Sequence, residues 1–139
     1  MQFNRRWLSL LAGLLAFALV AAACGGDDET TASEDFKIGI LLVGPGNDRG
    51  YSQAHLEGAE YAIEKLGLNV DDNLLVLEFA NFGDTPGLSF TGTANEMVDL
   101  GADLIIFNSD DMRDGAFEAA AALPEVPMIW NPSRVCSAA

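Results

Sequence analysis

An α/β fold, a parallel sheet with helices on both faces, is what the sequence predicts. Three observations carry that expectation. Four apolar runs rich in Ile, Leu and Val recur along the chain, at Lys37–Val43, Leu74–Ala80, Asp103–Phe107 and Val126–Trp130. Stretches with helical spacing separate them. No hairpin signal joins one run to the next, so the order reads βαβαβαβ with right-handed crossovers.

Each element has a local reason. Lys37–Val43, "KIGILLV", is continuously apolar, as a strand covered on both faces requires. Residues 51–66 place Leu56, Ala59, Ile63 and Leu66 on one side, with Glu57, Glu60, Glu64 and Lys65 largely elsewhere. Gly67 then stops the helix. Leu74–Ala80 is a second strand-like run, followed by the turn-rich "NFGDTPG". Residues 88–100 read as a helix whose first half is weakened by Gly92 and two threonines, with Gly101 at its end. "DLIIF" is the third strand. "NSDD" offers N-cap residues for a helix over 114–122, and Pro124 lies just beyond it. "VPMIW" is the fourth strand, with Pro127 near its start.

The first 23 residues read as an export signal. Arg5 and Arg6 form a basic region, Trp7–Val20 is apolar, and Ala21–Ala23 supplies small residues for a peptidase. The run is short for a spanning helix, which needs about 20 residues. Cys24 follows at once, and residues 25–35 are a polar stretch too poor in apolar residues to pack, expected to act as a disordered tether. This junction resembles a bacterial lipoprotein signal, with Ala21 where Leu is usual. It implies a lipidated Cys24 holding the domain at the extracytoplasmic face of a cell membrane. Ordinary cleavage after the alanines, releasing a secreted protein, is the alternative.

All 21 acidic residues follow Cys24, together with only five of the seven basic ones: Lys37, Arg49, Lys65, Arg113 and Arg134. Without a basic cluster there is nothing to neutralise phosphates, so nucleic acid is excluded as a partner. Two cysteines and one histidine supply neither a disulfide framework nor a zinc set.

In open parallel sheets ligands bind beyond the carboxyl ends of the strands. Those ends here are "GPGNDRGYS", "NFGDTPG" and "NSDDMRDG", where Gly, Asn, Asp and Ser concentrate. The first is not a dinucleotide fingerprint. Pro45 separates its glycines, Gly50 comes one position late, and Asp48 would face a pyrophosphate. Nor is it a P-loop, because no Gly-Lys-Ser/Thr follows. Asp110, Asp111, Asp114 and Glu118 suit a helix N-terminus better than a metal loop. His55 lacks a nucleophile elbow nearby and reads as a surface or packing residue. The expected ligand contacts are Asn47, Asp48, Tyr51 and Ser52 in the first loop, with Ser109 and Asp110 in the third. Short polar side chains would bond a hydroxylated or heterocyclic ligand, and Tyr51 would stack on it. No metal, cofactor or catalytic residue is expected.

Two blocks also carry a family resemblance. "KIGILLVGPGNDRGYSQAHLEGAEYAIEKLG" resembles the opening of the basic membrane protein family of ABC-transporter solute-binding lipoproteins, with Asp48-Arg49-Gly50-Tyr51-Ser52 and Glu57-Gly58 at the matching points. "EMVDLGADLIIFNSDDMRDGAFEAAAALPEVPMI" resembles that family's next block. Ser52 stands where the family usually has Asn. The resemblance covers roughly residues 37–130 and implies the partial N-terminal lobe of a type I periplasmic binding protein at 36–132. It also implies binding without turnover, a nucleoside-like small molecule stacked on Tyr51, and an ABC permease as partner. Sugar-binding or signalling receptors share the fold, and a small exported α/β enzyme is the alternative from another class. Residues 133–139, "SRVCSAA", match nothing expected there, so the reading anticipates a truncated or frameshifted product.

Overall fold

The computed structural model describes residues 32–132. The signal, Cys24 and nearly all of the tether lie outside the described residues, as does the 133–139 tail. Four strands form one parallel sheet: β1 (Ile38–Leu41), β2 (Leu74–Leu77), β3 (Leu104–Phe107) and β4 (Met128–Trp130). Their spatial order is β2-β1-β3-β4. Helices α1 (Tyr51–Lys65), α3 (Phe90–Asp99) and α4 (Arg113–Ala122) fill the crossovers, and α2 (Val70–Asn73) is a single turn before β2. The register sets Ile38 beside Leu74 and Leu104, and Ile105 beside Met128.

Strand order and handedness together decide which face each helix covers. The chain steps one way from β1 to β2, and the other way from β2 to β3 and β3 to β4. Right-handed crossovers therefore place α1 on one face and both α3 and α4 on the opposite one. Side-chain alternation agrees. Leu41, Ile105 and Phe107 pack with Phe90, Ala94 and Met97 of α3 and Ala116 and Ala119 of α4. Ile40 and Leu42 pack with Ala59 and Leu56 of α1, and with Leu74 and Ile106. All of β1 is buried, which accounts for its unbroken apolar sequence. Gly115 permits the close approach of α4 to α3: a Cβ there would stand 2.3 Å from the Phe90 ring.

Several boundaries differ from the sequence expectation. The first ladder ends at Leu41, yet Leu42 N–H still donates to Leu77 O (2.8 Å), after which the chain turns into the loop. Helix α3 begins at Phe90 because Ser89 accepts from Gly92 N–H and so caps it. A 3-10 turn, Asp110–Met112, capped by Ser109 on Asp111 N–H, leads into α4. The α2 turn inside "GLNVDDN" was not anticipated. Asn69 caps it, and the buried Asn73 ends it by donating to Glu34 O and Phe36 O, which ties the segment before β1 to the sheet.

Candidate functional site

The direction of the crossovers reverses between β1 and β3, so the crevice beyond their carboxyl ends is where a ligand site belongs. Asn108, fully buried just after β3, spans that crevice. Its Oδ1 accepts from Val43 N–H (2.9 Å), continuing the ladder with a side chain where the backbone has parted. The same geometry leaves its Nδ2 buried without a hydrogen-bond partner among the described residues. Unpaired buried donors are uncommon and costly, so this one calls for an explanation.

The first loop is braced from within. Asp48 Oδ1 accepts from Gly50 and Gln53 N–H, and its Oδ2 accepts from Ser52 N–H. Those bonds, Gln53's foremost, hold the Asp48 carboxyl below its ordinary pKa against a smaller opposing desolvation. Asp48 thereby caps α1. Ser52 is fully buried, and its Oγ accepts from Gly44 N–H (3.1 Å), fastening the loop back onto the helix. Gly46 N–H donates to Glu78 beyond β2, and a Cβ at Gly46 would meet Leu56 at 2.5 Å. A side chain at Gly46 would have to displace the Leu56 methyl and the Glu78 carboxylate.

Three strand ends then meet over α1. Tyr51 O–H donates to Asn131 O (3.1 Å) just past β4. His55, one turn along, lies against the Tyr51 ring at 4.4 Å between centroids. Its Nδ1 is 2.8 Å from Tyr51 O, which can only accept, so Nδ1 carries the proton. Nε2 is then the acceptor for Asn131 Nδ2 at 2.9 Å. Asp110 completes the group: desolvation, and after it the Asp110 charge, raises the Tyr51 phenol pKa. Trp130 Nε1 donates to Ser109 O (2.8 Å), tying β4 to the loop after β3.

Of the six residues expected at the rim, Tyr51 lies within electrostatic reach of Asp110, and Asn47 is exposed on the first loop. Asp48, Ser52 and Ser109 have their side chains engaged in internal bonds that shape the loops. Sequence reading missed His55, Asn108 and Asn131 as members of the group. It also missed two rim aromatics, Phe79 and Phe82, 43% and 60% exposed. Phe79 has φ +56°, a left-handed conformation that costs a non-glycine residue energy and concentrates at functional sites. Large aromatics inside a turn-rich stretch, "EFANFGDTPG", were the available signal. Asn81 holds this second loop, donating to Val43 O and Asp84 while its Oδ1 accepts from Gly83 and Asp84 N–H. Among the described residues no group of three or more His, Cys, Asp or Glu side chains could hold a metal.

An ABC transporter system solute-binding protein from Conexibacter woesei is similar over 67% of this chain, with a TM-score of 0.53 and 18% identity. Over that stretch the two chains share an α/β fold. This chain spans 28% of the length of that neighbour. No family model matches the sequence, and no curated protein matches it.

Proposed function

We propose that this chain is a ligand-binding lobe of an extracytoplasmic solute receptor serving an ABC uptake transporter, of the basic membrane protein type. The observation that carries the reading is the convergence at the switch point. An aromatic ring (Tyr51), an amide pair (Asn108 and Asn131) and a carboxylate (Asp110) arrive from the ends of β1, β3 and β4. A flat, hydrogen-bonding heterocycle carrying hydroxyls, such as a nucleoside, fits that set. The ring face of Tyr51 stacks, Asp110 accepts from sugar hydroxyls or ring N–H groups, and Asn108 Nδ2 donates from the floor. Holding without turnover needs no nucleophile or general base. Lipidation of Cys24 would keep the lobe beside its permease, and the polar stretch after it would serve as a tether up to Glu34, which Asn73 fastens to the sheet.

Trp130 reports from within the site, because its indole bonds the loop that carries Asp110. Titration of the purified chain with adenosine, guanosine and inosine is expected to change Trp130 fluorescence saturably. Tyr51→Ala is expected to weaken binding by about 1–3 kcal/mol, the usual worth of one base stacked on an aromatic. A nucleoside that is hydrolysed during the titration sinks the receptor reading in favour of an enzyme. Saturable binding that Tyr51→Ala leaves unchanged sinks the site.

A further inference from the structure

At the sheet's flank, β2 pairs with β1 alone among the described residues, and its outer side meets no described strand. In a parallel ladder each residue turns its N–H and C=O to the same side, and successive residues alternate. Leu77 O accepts from Leu42 N–H, so Leu75 and Leu77 face β1 while Val76 turns both backbone groups outward. Val76 is the exposed residue of the strand. An apolar groove runs along the edge on each face. On the α1 face, Leu56, Leu74 and Val76 floor a cavity of about 560 Å³ with Glu60, Asp71 and Glu78 at its margin. On the opposite face, Leu75, Leu77 and Leu100 line one of about 310 Å³ with Glu96 at its margin.

We propose that the β2 edge accepts an extended basic segment of a partner protein as an added strand. Successive side chains of such a segment fall on opposite faces, and therefore into the two grooves in turn. Val or Ile would fill the apolar floors. Lys and Arg would lay their stems along the same floors and carry their charges to the carboxylates. Among the described residues no basic side chain lines either groove. That charge pattern selects against a second copy of this chain. Edge-to-edge pairing would set the margin carboxylates of one copy against those of the other, in a protein of net charge −14. The edge works independently of the strand-end crevice.

The test uses the full chain with short synthetic peptides of alternating Val and Lys, or Val and Glu, and reads amide exchange by NMR. With the Val–Lys peptide at ten times its Kd, exchange at the Val76 amide is expected to slow by about tenfold. The Val–Glu peptide is expected to leave it unchanged. Val76→Pro removes the outward donor without touching the groups that face β1, and is expected to abolish peptide binding. Should that variant fail to fold, Glu60→Lys with Asp71→Lys reverses the margin charge at two side chains that cap and brace nothing, and is expected to do the same. Unslowed exchange at Val76, equal binding of the Val–Glu peptide, or full binding by the charge-reversed variant overturns the proposal. So does concentration-dependent protection of Val76 without peptide, which would make a second copy the occupant.

Discussion

Replacing Ser52 by Ala separates a loop fastener from a ligand contact. The substitution deletes one hydroxyl from a fully buried site and leaves the backbone N–H that donates to Asp48 in place. What it removes is the acceptor for Gly44 N–H at 3.1 Å, together with the hydroxyl's smaller part in holding the Asp48 carboxyl down. A hydrogen bond of this kind contributes about 1 kcal/mol net, and a buried donor left without a partner costs about 1–3 kcal/mol. Gly44 is only half-buried, so water can reach part of the vacated site and the upper end of that range does not apply. The expected loss is about 1–1.5 kcal/mol. For a domain of roughly 100 residues each kcal/mol lowers Tm by about 4–8 °C. Urea unfolding followed by circular dichroism measures the loss as a fall in midpoint at constant slope. An unchanged midpoint and slope would refute the fastening role. A fall in nucleoside affinity with stability intact would show instead that Ser52 faces the ligand.

Two further predictions concern protons. The carboxyl of Asp48 titrates below its unfolded value, so the stability it contributes is complete above that unfolded pKa and is lost as pH falls through the lowered folded one. Asp48→Asn, with one acceptor oxygen for three donors, is expected to lessen the fall of the urea midpoint as pH drops below the ordinary carboxylate value of about 3.9; an equally steep acid limb in the variant would count against the cap. For Tyr51, spectrophotometric titration is expected to place the phenol above its ordinary value. Asp110→Asn should return it only part of the way, because desolvation is the larger cause. A complete return would make the Asp110 charge dominant, and no movement would separate the two residues.

The alternation of helical and strand-like stretches was legible because each element's pattern is local. An apolar run such as "KIGILLV" states that both its faces are covered, and Gly67 and Gly101 state where helices end. The same holds for the rim: turn chemistry in three strand-end loops is written in consecutive residues. Which of those residues face a ligand was not legible. Asp48, Ser52 and Ser109 are the same short polar types whether they bond a solute or a backbone N–H, and only the position of Gln53, Gly44 and Asp111 around them decides the matter.

By itself, then, the sequence determined the element types, the parallel class of the sheet and the rim on which polar groups gather, since period, turn residues and handedness act over a few neighbouring positions. The tertiary structure alone decided the strand order β2-β1-β3-β4, and with it the crevice between β1 and β3. Only that order brings His55 within 2.9 Å of Asn131, 76 positions along the chain, lays Asn108 across to Val43, and puts β2 at the edge of the described sheet. Contacts at such separations depend on how strands pack side by side, and no local pattern encodes which two will be neighbours.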